Sequence, residues 1–280
     1  MIVDAAELQR SLADVESAVT TARMGELETA SKAWTLPERL ATEMKKVAAS
    51  LVAFKPSHRA GKFLVLSGVD KSGKETHSFN QSRLRKITSV YDHLCSVGFD
   101  VLPISLPSYG TLLGSLVGAY LGRRETEVAM GGELSSSFAW LLWSLDRAQF
   151  NDQVDRWLAG SPRKVVLAKR WTESHVVYQP EVGVDYHRVL RFEEKVVKQD
   201  FTVVLDISPA EALLRLRKRP DRDNYEHVRM IEGVRRAYLS LSAVYPYGEV
   251  YLVDASRSLE EVNGDIISLV DELLQVDGKG

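Results

Sequence analysis

Apolar residues follow two patterns along the chain. From residue 63 onwards, short continuous apolar runs alternate with longer stretches in which apolar residues recur every three or four positions. The runs are typical of strands covered on both faces, and the longer stretches are typical of amphipathic helices. Strands are predicted at residues 63–67, 100–106, 164–168, 201–207 and 249–255, and helices at residues 81–97, 112–121, 138–158, 186–198, 209–218 and 228–243.

This alternation of strands and helices predicts an α/β fold. Strands joined by helices form a parallel sheet, so we expect a parallel five-stranded sheet flanked by helices. Ligands of such sheets bind at the carboxyl ends of the strands. The segments that directly follow the predicted strands are therefore the places to look for chemistry.

The first part of the chain has helical spacing and no strand-like run. Apolar residues recur at helical intervals twice, in a first stretch that ends at Val19 and in a second that ends at Leu51, before a linker at residues 55–61. This spacing predicts two or three helices. We divide the chain into a helical extension with linker, residues 1–61, and a main domain, residues 62–280. The extension is interpreted as packing against the main domain or a second subunit.

Composition narrows the class of protein. The formal net charge of the 280 residues is -2, which predicts no general attraction to nucleic acid or to anionic membranes. No apolar run reaches the ~20 residues that a membrane-spanning helix needs. The single cysteine, Cys95, excludes an intrachain disulfide and favours a reducing, cytoplasmic compartment. Cys95 lies in an apolar helical stripe, so a buried structural thiol is expected.

A glycine-rich segment follows the first predicted strand. Residues 68–76 read GVDKSGKET and match the pattern of a phosphate-binding loop, G-x-x-x-x-G-K-[ST], except at the last position. In such a loop the backbone N–H groups and the start of the next helix surround phosphate oxygens, and the lysine reaches the outer phosphates. The predicted nucleotide-binding residues are Gly68, Ser72, Gly73, Lys74, Glu75 and Thr76.

Glu75 is the departure from this pattern. The hydroxyl group usual at this position holds Mg²⁺. A carboxylate is also an oxygen ligand that suits Mg²⁺, which makes Glu75 a candidate metal ligand. Alternatively, Glu75 faces solvent at a helix N-terminus, where acidic residues are favoured. The residues leave both interpretations open.

From residue 62 to about residue 275, the chain resembles thymidylate kinases, nucleoside monophosphate kinases that phosphorylate dTMP. The loop is similar to the family pattern G-[VI]-D-x-x-G-K-[ST]-T. The resemblance implies that Asp70 contacts the sugar and assists the acceptor phosphate, and that Lys71 stabilises the transferring phosphoryl group. It also implies the three-layer fold of phosphate-loop kinases.

Two later segments carry the resemblance further. The segment LPSYGTLLGSLVGAYL contains the matching Pro107 but has Tyr109 where many members have a phosphate-binding arginine. The segment FAWLLWSLDRAQF is similar to L-L-F-x-A-[DN]-R. The resemblance implies that Trp143 stacks on the base and that Arg147 bridges base and acceptor phosphate. Helix packing is the alternative for Trp143, because its neighbours are densely apolar.

The segment KRWTESHVVYQ is similar to the family's D-R-Y-x-x-S-x-x-A-Y-Q. It implies that Arg170 holds the acceptor phosphate and that the nucleoside pocket includes Ser174, Tyr178 and Gln179. A basic stretch around Arg219 and Arg222 is similar to the family's lid, in which arginines close over the transferring phosphate. A solvated basic helix end is the alternative.

Lys169 stands where the family has an aspartate that helps to hold Mg²⁺. Because Glu75 and Lys169 both occupy metal-flanking positions, we predict that they form an ion pair. Either Glu75 then directs the metal while Lys169 neutralises phosphate, or the pair fills the metal site and transfer is lost.

The leading interpretation is a thymidylate kinase that transfers the γ-phosphate of ATP to dTMP with Mg²⁺. The resemblance also implies a homodimer. Two alternatives stay open: a nucleotide-binding homologue impaired in catalysis, with a structural or regulatory role, and a kinase for another nucleoside monophosphate.

Overall fold

The computed structural model describes residues 1–79, 87–216 and 228–276. The strands in these ranges are β1 (Ile2–Asp4), β2 (Lys62–Ser67), β3 (Asp100–Ser105), β4 (Ala129–Gly131), β5 (Lys164–Lys169), β6 (Phe201–Asp206) and β7 (Glu249–Asp254). The helices are α1 (Ala5–Thr21), α2 (Met24–Ala30), α3 (Glu38–Ala53), α4 (Lys74–Phe79), α5 (Val90–Ser96), α6 (Leu112–Tyr120), α7 (Ser136–Ala148), α8 (Asn151–Leu158), α9 (Thr172–Glu181), α10 (Tyr186–Glu193), α11 (Pro209–Leu216), α12 (Val228–Leu239), α13 (Leu241–Val244) and α14 (Leu259–Leu274). The chain forms two compact units.

The second unit, made of residues 58–105, 156–177 and 198–280, contains the predicted sheet. Its five strands are all parallel, in the order β3-β5-β2-β6-β7. Strand β2 lies at the centre, and its residues from Phe63 to Ser67 are buried. The predicted α/β class, the parallel arrangement and the number of strands in this sheet are confirmed, and each strand agrees with its predicted range to within one residue.

The first unit, made of residues 1–57, 106–155 and 178–197, contains the predicted N-terminal helices. Asp4 caps α1 by accepting a hydrogen bond from the Glu7 N–H at 2.9 Å, and the predicted apolar face of α1 is completely buried. Arg188 of α10 donates to both carboxylate oxygens of Glu16 on α1, at 2.5 and 2.6 Å. The N-terminal helices are therefore tied to later parts of the chain within this unit.

Several elements of the described chain were not predicted. Strands β1 and β4 pair in parallel over three residues each, as a separate two-stranded sheet of the first unit. Helices α9 and α14 were also missed, the former because its sequence, TESHVVYQPE, has no helical spacing of apolar residues. The predicted helix at 138–158 is two helices, α7 and α8.

Two further predictions concern the burial of Cys95 and the possibility of a membrane-spanning helix. Cys95 is exposed on α5, so the expectation of a buried thiol was wrong. Its neighbour Leu94 takes the buried position of that helix instead. None of the helices in the described part of the chain combines the length and the apolar character that crossing a membrane requires.

The buried face of α1 yields a test of the N-terminal packing. Leu12 is fully buried, so Leu12→Ala should lower the free energy of unfolding by about 2–5 kcal/mol. Urea unfolding of the purified protein measures this change. The control is Glu28→Ala on the exposed side of α2, for which a change within about 0.5 kcal/mol is expected. Equal midpoints for the two variants would show that α1 contributes no packing to the fold.

Candidate active site

The predicted phosphate-binding loop lies between β2 and α4 in the second unit. Gly68 has a φ of 130°, and a Cβ there would collide with the carbonyl oxygen of Leu205 on the adjacent strand β6. Lys71 adopts a left-handed φ of 66°. The loop conformation therefore requires glycine at its first position and holds Lys71 in a backbone region that side chains disfavour.

Lys74 is buried at the first position of α4, with 6% of its surface exposed. Its ammonium donates to the loop carbonyls of Gly68 at 3.0 Å and Val69 at 2.6 Å. Burial lowers the pKa of Lys74 well below its ordinary value, helped by the nearby Arg170 charge and opposed by Asp70. The Asp70 carboxylate, 3.9 Å from this ammonium, therefore does not fully offset the effects of burial and of Arg170.

Asp70 and Arg170 form an ion pair across the loop. Arg170 directly follows β5, has a left-handed φ of 66°, and donates its backbone N–H to the Leu66 carbonyl at 3.0 Å. Burial acts to raise the pKa of Asp70, but the charges of Arg170, Lys74 and Lys71 outweigh it and lower the pKa below its usual value. The neighbouring positive charges therefore favour the ionised carboxylate of Asp70.

The predicted ion pair between Glu75 and Lys169 is present. Lys169 is the last residue of β5, and its ammonium contacts Glu75 Oε2 in the first turn of α4. The other oxygen, Glu75 Oε1, is buried and accepts no hydrogen bond from any described residue. Glu75 is therefore engaged on one oxygen rather than freely solvated, which argues against the alternative of a solvent-facing acid.

Two further residues of the predicted loop, and a neighbour on α11, complete the description of this segment. Ser72 is buried, with its hydroxyl 3.5 Å from the Lys74 ammonium, and Thr76 lies partly buried on α4. Arg215 of α11 donates to the Lys71 carbonyl at 3.1 Å. The predicted lid residues Arg219 and Arg222 lie outside the described residues.

The predicted nucleoside-binding residues are divided between the two units. Ser174, on the first part of α9, belongs to the second unit and accepts a hydrogen bond from Arg170 at 3.3 Å. Tyr178 and Gln179, both buried, follow on the same helix and belong to the first unit. Pro107, Tyr109, Trp143 and Arg147 also lie in the first unit.

Arg147 has a partner that the sequence did not suggest. Its guanidinium makes two hydrogen bonds to the carboxylate of Glu193 on α10, and Ser144 donates to the same carboxylate at 2.9 Å. Arg147 and Glu193 are 3% and 0% exposed. Nothing in the sequence marks Glu193, which lies 46 residues from Arg147. The orientation of Arg147 is therefore fixed by a buried ion pair.

The aromatic residues of the first unit are also held by neighbours. The ring of Trp143 meets Tyr120 edge to face, with 5.6 Å between the ring centroids. Tyr109 carries the guanidinium of Arg123 over its ring at 4.1 Å. A positive charge therefore lies beside Tyr109, which stands where the family pattern has an arginine.

Asp146, next to Arg147 on α7, is a buried carboxyl that the sequence analysis passed over. It accepts the Ser108 N–H at 2.9 Å and the Gln149 side-chain amide at 2.9 Å. Gly114 is required beside it, because a Cβ at that position would collide with the Ser108 carbonyl oxygen. Asp146 therefore anchors the segment that follows Pro107, where the Leu106–Pro107 bond is cis. The sequence signal that could have identified Asp146 is its match to the [DN] position of the family pattern L-L-F-x-A-[DN]-R.

The described residues contain no group of three or more histidine, cysteine, aspartate and glutamate side chains arranged to hold a metal ion. A site of that kind is not required for Mg²⁺ beside a nucleotide. Such an ion is commonly held by one or two carboxylates together with substrate phosphates and water.

Comparisons with known proteins agree on one family. Residues 66–266, more than half of the chain, match the family model for thymidylate kinase. A probable thymidylate kinase of Pyrobaculum aerophilum is 28% identical over 217 residues, covering 76% of this chain and 98% of that relative. One from Pyrococcus horikoshii is 29% identical over 211 residues, covering 75% and 96%.

A solved structure gives the same fold. The thymidylate kinase from Candida albicans aligns with a TM-score of 0.57 and 17% sequence identity, covering 79% of this chain and 96% of that one. Identity at this level supports the fold alone. The family model begins at residue 66, so the N-terminal helices lie outside the match.

The buried carboxyl of Asp146 predicts a pH dependence of stability. Burial raises its pKa to about 7, against the lowering effect of the Ser108 N–H, of Arg147 and of Gln149. In the unfolded chain the carboxyl ionises near pH 4, so the stability contributed by its neutral form is present below about pH 4. That contribution is lost as the pH rises to about 7.

Urea unfolding of the wild type and Asp146→Asn between pH 4 and pH 8 tests this dependence. Relative to the wild type, Asp146→Asn should gain up to roughly 4 kcal/mol of unfolding free energy over that range. Glu28→Gln, on the exposed side of α2, serves as the control and should follow the wild type throughout. If the Asp146→Asn curve also runs parallel to the wild type, the carboxyl is ionised in the folded protein.

Proposed function

The chain belongs to the thymidylate kinase family, and from this premise we propose that it transfers the γ-phosphate of ATP to dTMP, giving dTDP and ADP. The family is one of nucleoside monophosphate kinases, so the chain is classed as a phosphotransferase. The observation that carries the proposal is the phosphate loop itself. Its buried lysine, Lys74, and its ion-paired aspartate, Asp70, meet Arg170 at the ends of β2 and β5.

Lys74 binds the outer phosphates of ATP in this proposal. Its ammonium is buried against the loop carbonyls, and its lowered pKa reflects a deficit of negative charge. A phosphate oxygen supplies that charge, so nucleotide binding stabilises the protonated lysine. Ser72, Gly73 and Thr76 complete the loop and the helix start, where backbone N–H groups favour anions.

Asp70, Lys71 and Arg170 place the acceptor and stabilise the transferring group. Phosphoryl transfer depends mainly on positioning and on neutralising the charge of the transferring group. Arg170 is suited to the acceptor phosphate because a guanidinium binds phosphate oxygens in pairs. Its ion pair with Asp70 fixes both side chains beside the loop. The lid arginines, Arg219 and Arg222, are proposed to close over the same group.

Binding of the nucleoside falls to residues of α7, α9 and the segment after β3. We assign stacking on the base to Trp143 and a polar contact to Arg147, whose plane is fixed by Glu193. Further contacts are assigned to Pro107, Tyr109, Ser174, Tyr178 and Gln179. These roles rest on the resemblance, and the fixed geometry of Arg147 and Trp143 is compatible with them.

The residues beside the loop fit Mg²⁺ through a single carboxylate. Glu75 Oε1 is buried without a hydrogen-bond partner among the described residues, and a carboxylate oxygen is the ligand type that Mg²⁺ prefers. Lys169 holds the other oxygen and so fixes the carboxylate. When bound, Mg²⁺ neutralises charge on the β- and γ-phosphates of ATP. Lys169 adds a second positive charge next to these phosphates.

The quaternary state and location complete the proposal. The family resemblance supports a homodimer, and the single cysteine supports a reducing, cytoplasmic compartment. The partners are the small-molecule nucleotides ATP and dTMP. No role in nucleic acid or membrane binding is proposed.

A coupled ADP-release assay with ATP and each deoxynucleoside monophosphate tests the reaction. We expect the highest kcat/KM with dTMP, and we expect Lys74→Ala to lower it by at least about 100-fold. Lys45→Ala, on the exposed side of α3, is the control and should leave it unchanged. A preference for another acceptor would indicate a different monophosphate kinase. Measurable ATP binding without turnover for every acceptor would indicate an impaired homologue.

Replacing Glu75 and Lys169 by the residue types of the family pattern tests the metal proposal. Glu75→Ser leaves the Lys169 charge unopposed, and Lys169→Asp places two carboxylates side by side. Each variant alone should therefore lower stability and change the Mg²⁺ concentration for half-maximal rate. The double variant should restore both, because it returns a hydroxyl and a carboxylate to the two positions. Urea unfolding supplies the readout that does not depend on activity. Additive effects in both measurements would show that the two residues act independently.

A further inference from the structure

Five side chains in the second unit form a continuous hydrogen-bonded path behind the phosphate loop. Arg170 Nη1 lies 3.3 Å from Ser174 Oγ, and hydrogen bonding from Ser174 acts to lower the pKa of the Tyr238 hydroxyl. The Tyr238 hydroxyl lies 2.8 Å from Ser67 Oγ, and Ser67 Oγ lies 2.7 Å from Glu173 Oε1. Ser67, Glu173 and Tyr238 are at most 2% exposed, and Ser174 is 9% exposed.

The path begins at a carboxylate surrounded by donors. Glu173 Oε1 accepts the backbone N–H of Trp171 at 3.1 Å, and Glu173 Oε2 accepts the side-chain amide of Gln199 at 3.3 Å. The Ser67 hydroxyl also donates to Glu173 Oε1, so Glu173 is the acceptor in this bond.

The direction of every following bond is then determined. A hydroxyl group has one hydrogen to donate. Ser67 donates its hydrogen to Glu173 and so accepts from Tyr238, and Tyr238 in turn accepts from Ser174. Ser174 then accepts from Arg170, whose guanidinium can only donate. All the hydrogen bonds point from the guanidinium to the buried carboxylate, and aligned bonds of this kind strengthen one another.

The path limits the orientation of the Arg170 guanidinium, which also contacts Asp70. Arg170 donates to Asp70 as well as to Ser174, so the path selects one orientation of the guanidinium towards the loop. Helix α12, which carries Tyr238, is itself tied to the end of β6, because Arg235 donates to both oxygens of Asp206 at 2.7 and 2.8 Å. Burial raises the pKa of Tyr238 to about 12, so its hydroxyl keeps its hydrogen at neutral pH.

We propose that Tyr238 and Glu173 are positioning residues for Arg170, which they orient towards the acceptor phosphate through Ser67 and Ser174. This inference rests on the proposed function, since Arg170 is the residue that contacts the acceptor there. It adds two residues that touch no substrate, one on the helix after β5 and one on α12.

The experiment compares two buried tyrosines that each lose only a hydroxyl. Tyr238→Phe removes the link between Ser174 and Ser67. Tyr245→Phe is the matched control: Tyr245 is 7% exposed, and its hydroxyl bonds to Thr172 and Gln199. Gln199 donates to Glu173 Oε2, the oxygen that Ser67 does not use. We expect Tyr238→Phe to lower kcat for dTMP by roughly tenfold, with the KM for ATP unchanged. Tyr245→Phe should lower the urea midpoint with kcat unchanged.

A double-mutant cycle with Arg170→Lys separates positioning from general stability. Lysine cannot reproduce the guanidinium geometry, so Tyr238→Phe should have little further effect on kcat in the Arg170→Lys background. The same cycle in urea unfolding should show a non-zero coupling between the two positions. Effects of Tyr238→Phe that multiply with those of Arg170→Lys, or an equal loss of kcat in Tyr245→Phe, would overturn the inference while leaving the kinase activity standing. A wild type inactive with every acceptor would instead overturn the proposed function, and the positioning role with it.

Discussion

The parallel pairing of β5 with β2 is the constraint on which the chemistry of the second unit depends. In this register Leu66 lies opposite Lys169, so β5 ends where β2 passes into the phosphate loop. Lys169 and Arg170 therefore emerge beside the loop from a strand that is about 100 residues away in sequence. A shift of one residue would turn the Lys169 side chain to the opposite face of the sheet and remove it from Glu75.

Two of the positive charges at this edge are paired with carboxylates, Arg170 with Asp70 and Lys169 with Glu75. The Lys74 ammonium is held by loop carbonyls and lies 3.9 Å from Asp70. A phosphate that binds in such a site has to replace the carboxylates as the partner of the positive side chains. Because separating a partly buried ion pair is costly, the pairs favour a ligand with enough negative charge to replace the carboxylates. A triphosphate meets this condition better than a single phosphate.

Sequence patterns predicted the sheet well because its strands are apolar on both faces. They missed β1 and β4, whose three residues are too few for a pattern, and α9, whose apolar residues are consecutive rather than spaced at helical intervals. The Glu75–Lys169 pair was predictable because both residues break a motif at positions that share one function. The partner of Arg147 was not predictable, since Glu193 resembles any acid on an amphipathic helix. Tyr238 and Ser67 are 171 residues apart, and only the fold brings their hydroxyls together.

The departures from the family pattern at positions 75 and 169 also change the net charge of the two side chains. A hydroxyl with an aspartate carries one negative charge, whereas Glu75 with Lys169 is neutral as a pair. The pair thus has one positive charge more than the family pattern. In the proposed function, the lysine at the end of β5 would supply part of the neutralisation that a divalent cation provides. Since the ammonium is fixed by Glu75 rather than held by phosphate, its contribution is present in the free protein and needs no ion to be recruited. The remaining carboxylate oxygen, Oε1, is buried without a hydrogen-bond partner among the described residues, which is why the proposed function assigns the cation to it.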